Sequence, residues 1–354
     1  MSDIADLSKG IGISKDQLSA DGEPCILYGE LYTKYKSETI KEVISKTNID
    51  NTKLVKSKAN DVIIPCSGET AEEIATARCV LKDDILLGGD LNIIRLHGYD
   101  GSFMSYQLNG KRKYDIAKVA QGVSVVHLYG EHLKNIKTIN PSLNEQKKIA
   151  NLLSLLDERI STQNKIIDKL QSLIKGIRYD IFNDIQGEEL ALSNIADIYQ
   201  PQTISSSDLT TEEYWVYGAN GIIGKYKEYN HETEQICITC RGNTCGTVNY
   251  TQPKVWITGN SMVINTDKYQ RQVNKRFLFH YLSSYNFNSI VSGSGQPQIV
   301  RTPLEKIKVV LPTIEKQVRI ANSIDIVSEK IDTESLVLRL LENQKQYLLR
   351  QMFI

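Results

Sequence analysis

The chain has 354 residues, more than one average domain, and its 41% hydrophobic, 7% aromatic and 24% charged residues fall within the range of folded globular proteins. That composition excludes a disordered or collagen-like chain, and no apolar run approaches the roughly 20 residues that span a bilayer. Lys and Arg number 42 and Asp and Glu number 42, so contact with nucleic acid has to come from local basic clusters, not from a generally basic surface.

The start, Met1-Ser2-Asp3-Ile4, has neither the basic region nor the apolar run of a secretory leader. With six cysteines (Cys25, Cys66, Cys79, Cys237, Cys240, Cys245), this predicts a reduced, cytoplasmic protein. Residues 1–140 read as a globular half of short β-like runs, Cys25 to Tyr28, Asp61 to Ile64 and Ile85 to Leu87, separated by glycine-bearing turns.

Residues 141–187 follow as a long helix. A short strand over Ile136 to Ile139 leads to Pro141, and Ser142 is the N-cap. Beyond it Ile149, Leu153, Leu156, Ile160, Ile167, Leu170, Ile174, Ile177 and Ile181 recur by alternating steps of four and three, the spacing of a coiled-coil seam broken only at Gln163. About five heptads at ~1.5 Å per residue give a rod of ~50 Å, far beyond an average globular helix.

Residues 188–311 repeat the texture of the first half, with β-like runs Tyr214 to Tyr217, Gln235 to Ile238 and Lys254 to Ile257 and a helix from Lys275 to Asn286. Residues 312–354 form a second long helix, entered by a strand over Ile307 to Leu311 and capped by Thr313. Its seam is Ile320, Ile324, Val327, Ile331, Leu338, Leu341, Leu348 and Met352, interrupted at Glu334 and Lys345. A single amphipathic helix ordinarily packs on its own domain. Two matched seams of equal length instead bury each other, and an antiparallel pair suits helices that end where the chain enters or leaves a globular half.

An internal repeat organises these elements. At an offset of 171 residues, Leu133, Ile136, Lys137, Pro141, Gln146, Ile149, Ala150, Asn151, Glu158 and Ile160 meet identical residues from Leu304 to Ile331, and Gln163 meets Glu334. The sequence thus predicts an α+β chain with pseudo-twofold internal repetition: two globular halves of mixed sheets with short helices, and two long helices forming an antiparallel coiled coil.

Polar, glycine-bearing loops carry the groups that pair with phosphates and base edges. In the first half the candidates are Lys15, Tyr32, Lys34, Ser67, Thr70, Lys111 and Arg112. In the second they are Asn220, Lys225, Arg241, Asn243, Thr244, Gln296 and Gln298. For any one loop, a hairpin turn or a solvated charge is the competing explanation.

The chain resembles the specificity (S) subunits of type I restriction-modification systems. The resemblance rests on Ile11-Gly12-Ile13-Ser14-Lys15-Asp16-Gln17-Leu18, on Cys25 to Tyr35, on Gly221-Ile222-Ile223-Gly224, and above all on the doubled signature Leu143-Asn144-Glu145-Gln146-Lys147-Lys148-Ile149-Ala150 and Ile314-Glu315-Lys316-Gln317-Val318-Arg319-Ile320-Ala321. It implies two target-recognition domains, 1–140 and 188–311, that each read one half of a split double-stranded DNA sequence. It also implies two helices that fix the spacer and bind two methyltransferase subunits, with restriction/translocase subunits joining the complex. The second signature carries Lys316 where the family usually has Glu, and the leader that usually precedes the first domain is short or lacking.

No catalytic set emerges. Asn140-Pro141-Ser142-Leu143 lacks the second proline and the aromatic ring of an adenine methyltransferase segment, and no glycine-rich phosphate loop is present. S-adenosylmethionine, ATP and Mg are therefore expected on partner subunits and no cofactor on this chain. Cys237, Cys240 and Cys245 lack strand-compatible ligand spacing and an evident fourth ligand beyond His231, so no metal is expected, and His97, His127 and His132 are expected in structural roles. The competing function is a coiled-coil scaffold that binds protein partners only.

Overall fold

The computed structural model describes residues 1–354 apart from Val123, Ser124, Asn220, Ser294 and Ile354. Two compact units result, Met1–Lys165 together with Ser335–Ile354, and Ile166–Glu334.

In the first unit the strand Asp61–Pro65 is buried along its whole length. Its side chains alternate between two cores, as a period of two requires. Val62 and Ile64 join Met104, Leu108 and Ile94 on one face; Ile63 joins Ile26, Leu87 and Ile93 on the other. This strand is central in a five-stranded sheet ordered Ala5–Lys9, Leu91–Leu96, Asp61–Pro65, Arg78–Val80, Thr39–Ile40, antiparallel except for the last pair. A second sheet pairs Glu23–Ile26 with Leu86–Leu87 in parallel and with Ser45–Thr47 antiparallel.

The second unit repeats this plan. Asp197–Tyr199, Ser261–Asn265, Ile236–Thr239 and Val248–Tyr250 form an antiparallel sheet in that order. Ile236 and Ile238 face one core, whereas Cys237 faces another with Tyr217 and Val255. Tyr214–Gly218 pairs with Trp256–Ile257 in parallel and with Gly221–Tyr226 antiparallel, matching the mixed sheet of the first unit. A helix spans Lys275–Ser284, as the sequence predicts.

The long helices run Leu143–Asn183 and Ile314–Gln351. A capping box opens the first: the Ser142 hydroxyl accepts the Glu145 N–H at 3.4 Å, and the Glu145 carboxylate accepts the Ser142 N–H at 3.0 Å. Among the seam residues Leu153, Leu156, Ile167, Ile174, Ile324 and Leu341 are buried and Ile149, Ile160, Leu170, Ile177, Ile320, Val327, Ile331, Leu338 and Leu348 are half-buried, while the polar Gln163 and Lys345 are buried too.

Within the first unit Ala150 and Leu153 share a cluster with Leu349, Phe353, Phe103 and Tyr106. Four residues further along, Asp157 meets Lys345 at 2.6 Å, so the two helical segments run antiparallel there. In the second unit Phe182 packs edge-on against Phe277 and Tyr281, with centroids at 5.6 and 5.2 Å, and Ile320 packs on the same core.

The repeated glutamine of the signature has one task, performed twice. Gln146 Oε1 accepts the N–H of Asp100 at 2.9 Å while its Nε2 donates to the Pro141 carbonyl at 2.8 Å. Gln317 Oε1 accepts the N–H of Asn274 at 2.8 Å while its Nε2 donates to the Pro312 and Gln272 carbonyls, both at 2.9 Å. Asp100 and Asn274 are themselves the N-caps of Gly101–Asn109 and Lys275–Ser284. Each glutamine therefore ties a long helix to the cap of the short helix packed beside it.

The expected strand over Ile136 to Ile139 does not form. Ile139 exchanges both backbone bonds with the Gln107 side chain, at 2.7 and 2.8 Å, whereas in the second unit Lys308–Leu311 forms because Glu188–Ala191 is there to pair with it.

Candidate nucleic-acid interface

Three glycine-bearing segments of the second unit converge at the end of strand Ile236–Thr239. Cys240 is the hub: its N–H donates to the Asn260 carbonyl and its carbonyl accepts the Ile299 N–H, at 2.9 and 3.0 Å. Beyond it Arg241 forms an antiparallel bridge with Gln298, and the Gly242 N–H donates to the Pro297 carbonyl at 2.9 Å. Gln298 is held from its other side by two backbone bonds with Ser292, both 2.8 Å. The Thr239 hydroxyl donates to the Ala219 carbonyl and the Ser261 hydroxyl to that of Gly218 at 3.3 Å, which fixes the hairpin end beside the hub.

Gly242, at φ +86°, lets the chain turn back immediately after Arg241. At Gly293, φ +90°, an added Cβ would lie 2.5 Å from the Gln296 carbonyl. Burial raises the Cys240 thiol above its ordinary value, so the hub cysteine stays protonated and acts through its backbone.

The first unit builds the same hub around Cys66. Its N–H donates to the Asp90 carbonyl at 2.6 Å and its carbonyl accepts the Leu128 N–H at 2.8 Å. Ser67 pairs antiparallel with His127, and His127 with Gln121, as Arg241 pairs with Gln298 and Gln298 with Ser292. The offset of 171 maps Gln121, His127 and Leu128 onto Ser292, Gln298 and Ile299. Backbone plans agree; outward side chains differ.

Of the candidate contact residues, Arg241, Asn243, Gln296 and Gln298 are exposed at the second hub and Thr244 is half-buried beside them; Asn220 lies outside the described residues. Lys225 sits on the adjoining hairpin with its ammonium 4.6 Å from the Trp215 ring centroid, a cation–π placement that leaves the hairpin face both basic and aromatic. In the first unit Ser67 and Thr70 reach the hub, but both are engaged in structure. Ser67 is only 8% exposed, and the Thr70 hydroxyl caps helix Ala71–Ile74 through the Glu73 N–H.

The other first-half candidates belong to other places. Lys15 is exposed in a single turn, Lys15–Gln17, and Tyr32 is half-buried in helix Glu30–Thr33. Lys34 is exposed, with its ammonium 2.6 Å from the buried Glu30 carboxylate and 2.9 Å from the Ser45 hydroxyl. Exposed Lys111 and half-buried Arg112 follow Gly110, which abuts the Leu349 carbonyl of the second long helix.

Sequence reasoning passed over an exposed ladder at the first hub. His127 stacks on Tyr129 with centroids at 6.2 Å, Tyr129 meets His132 edge-on at 5.6 Å, and Lys9 lies 5.4 Å from the Tyr129 centroid. The signal was present, since the offset applied to Gln298 lands on His127. Among the described residues no group of three or more His, Cys, Asp or Glu is placed to hold a metal, and no helix is long and apolar enough to cross a membrane.

Two hubs of one design, each at the end of a core strand and each dressed with different polar side chains, coincide with a duplicated family match. The family model of the type I restriction modification DNA specificity domain matches residues 1–172 and again 186–343. The chain belongs to that family. It is 30% identical over 156 residues to the EcoprrI specificity subunit of Escherichia coli, a match covering 43% of this chain and 37% of that protein. It is 26% identical to the MjaVIII specificity subunit of Methanocaldococcus jannaschii over 93% of this chain and 86% of the other.

Among solved structures, the S subunit of a type I restriction-modification system from M. genitalium superposes with a TM-score of 0.69 at 19% identity, over 100% of this chain and 94% of that one. A chain from a study of type I complex assembly and conformational transition gives 0.57 at 14% identity, covering 98% and 95%. At these identities the likeness establishes the S-subunit fold.

Proposed function

We propose that this specificity-family chain is the non-catalytic DNA-reading subunit of a cytoplasmic type I restriction-modification complex. Each globular half reads one half of a bipartite double-stranded site, and the long helices set the spacer. The observation that carries the reading is the pair of equivalent hubs: an identical backbone frame bearing Ser67 and His127 in one half and Arg241 and Gln298 in the other is what two readers of unrelated half-sites require.

Two methyltransferase subunits dock on the long helices in this reading, supplying S-adenosylmethionine chemistry, and restriction/translocase subunits bring ATP and Mg. Leu152 and Leu155 are 49% and 51% exposed beside Leu348 and Gln344. At the repeat offset, Leu155 and Gln344 become Ile326 and Leu173, 68% and 51% exposed. Leu155 and Ile326, apolar and solvent-facing at equivalent points of the two units, suit two copies of one partner.

The test exchanges the second half. Glu188 pairs with Leu311 across a two-stranded ladder, so a cassette from 188 to 311 has adjacent ends. Replacing it with that of a relative and mapping methylated sites after co-expression with the methyltransferase subunit should change one half-site and leave the other half-site and the spacer intact. A change in both half-sites together would sink the two-reader model.

A further inference from the structure

Resting on the DNA-reading assignment, we propose that Arg241 and Gln298 act as one base-reading pair, taking a guanine and the adjacent adenine of the second half-site in the major groove. Cys240 accepts from Ile299 and Gly242 donates to Pro297, so Arg241 and Gln298 lie opposite each other between two bonded pairs. Such a non-hydrogen-bonded antiparallel pair has the narrow Cα separation, ~4.5 Å, with both side chains on one face. Base pairs stack at ~3.4 Å along the duplex, so when the pair lies along the duplex axis its two parallel side chains meet neighbouring base pairs.

The chemistry of the pair then selects the bases. A guanidinium forks onto guanine O6 and N7, and a carboxamide onto adenine N6 and N7. Both side chains are exposed, and the Arg241 guanidinium has no ion pair among the described residues, whereas Arg276 and Arg301 are tied to Asp325 and Glu305. Rigidity is built in from both sides: the Ser292 bonds hold one edge of Gln298 and the hub bonds hold the other. The pair is thus fixed before DNA arrives.

The same position exists in the first half with different content. Ser67 is buried and His127 exposed, so the offset assigns the first half-site's contact at this point to His127 alone, beside the exposed Tyr129 ring.

The experiment maps methylated sites for the full chain with its methyltransferase subunit, comparing wild type with R241K, R241A, Q298A and H127A. Wild type should give a bipartite motif with adjacent G·C and A·T pairs in the half-site that the 188–311 exchange replaces. R241K, which keeps the charge but loses the fork, should relax the guanine preference at that one position by about 10- to 100-fold, and Q298A should do the same at the neighbouring adenine. H127A should affect the other half-site only. Uniformly weaker methylation by R241A with base preferences retained would make Arg241 a phosphate contact and overturn the pair, as would R241K behaving like wild type. No bipartite motif from wild type would instead overturn the DNA-reading assignment itself.

Discussion

Replacing Lys345 by Met tests how the second long helix is held on the first globular half. The Lys345 ammonium lies 2.5 Å from a Glu38 carboxylate oxygen and 2.6 Å from Asp157, with side-chain exposures of 11%, 8% and 7%. Tyr106 and Ser37 donate hydroxyl bonds to Asp157 at 2.8 and 2.7 Å. Burial opposes the ammonium, but Glu38 and Asp157 outweigh it and raise its pKa above the ordinary lysine value. Burial pushes the Glu38 carboxyl up, against the pull of Lys345. Methionine fills the space of the lysine stem while leaving two carboxylates without their shared cation, a loss of about 3 to 5 kcal/mol against a total domain stability of about 5 to 15 kcal/mol.

Urea denaturation of the full chain, followed by circular dichroism, should show a markedly lower midpoint for K345M. The triple variant K345M/E38Q/D157N should recover most of it, because the uncompensated charges are gone. Because the folded pKa of Lys345 is raised, its contribution is complete below the unfolded value of about 10.5 and disappears as pH rises through the folded value. The difference between wild type and K345M should therefore narrow in strong alkali, and also in acid, where Glu38, already pushed up by burial, takes a proton and no longer needs the cation. A K345M midpoint within error of wild type, or a triple variant as weak as the single one, would refute the reasoning.

Acid should destabilise the second unit well above the carboxylate range. His231 and His280 are both lowered to about 4 by burial, and each is bonded as a neutral ring: His280 accepts from Arg178 and donates to Asp325, while His231 accepts from Tyr199 and donates to Asn230. A depressed histidine contributes stability above its unfolded pKa of ~6.5 and loses it as pH falls toward 4. From pH 7 to 5 each should cost about 2 kcal/mol, read as a falling melting temperature; a flat profile over that window would contradict the neutral assignment. Changing Gln146 to Leu strands a half-buried backbone N–H and one carbonyl, changing Gln317 to Leu strands a half-buried N–H and two carbonyls, and each should cost about 2 to 4 kcal/mol. The two losses should add in the double variant, since the glutamines share no partner; strong non-additivity in denaturation would show that they do not act on separate caps.

Much of the architecture was legible because it rests on short-range regularities. Heptad spacing gave the long helices, capping residues gave their starts, and the offset of 171 related the halves. Long-range chemistry was not legible. Lys345 reads as a flaw in a seam, yet it is buried against a carboxylate 307 residues away, and no local pattern announces such a partner. The local engagements of the loop side chains were not legible either. Thr70 and Lys34 are polar residues near glycines, as contact residues are, but one caps a helix and the other neutralises Glu30. A side chain's free valence depends on neighbours brought by the fold, and composition does not report them. Where the backbone frame repeats, the offset substitutes for that knowledge, which is how His127 stands out.

The repeat also shows where the two halves are not interchangeable. At the offset of 171, Lys345 corresponds to Ile174 and Leu349 to Arg178. In the first unit Leu349 packs among Phe103, Tyr106 and Leu153; in the second, Arg178 bonds to the buried His280, whose other nitrogen meets Asp325. Offering the first half the helix sequence around Ile174 and Arg178 would leave Glu38 and Asp157 without a cation and put a guanidinium into an apolar cluster, each a cost of several kcal/mol. The glutamine shared by both signatures preserves the anchor that ties each long helix to a short-helix cap. The buried charges differ, and they bind each helical segment to one half alone, as a polar residue at one seam position selects partner and register in a coiled coil. Conserved caps with divergent buried charges are what a duplicated chain needs if its halves are to remain similar in frame and distinct in pairing.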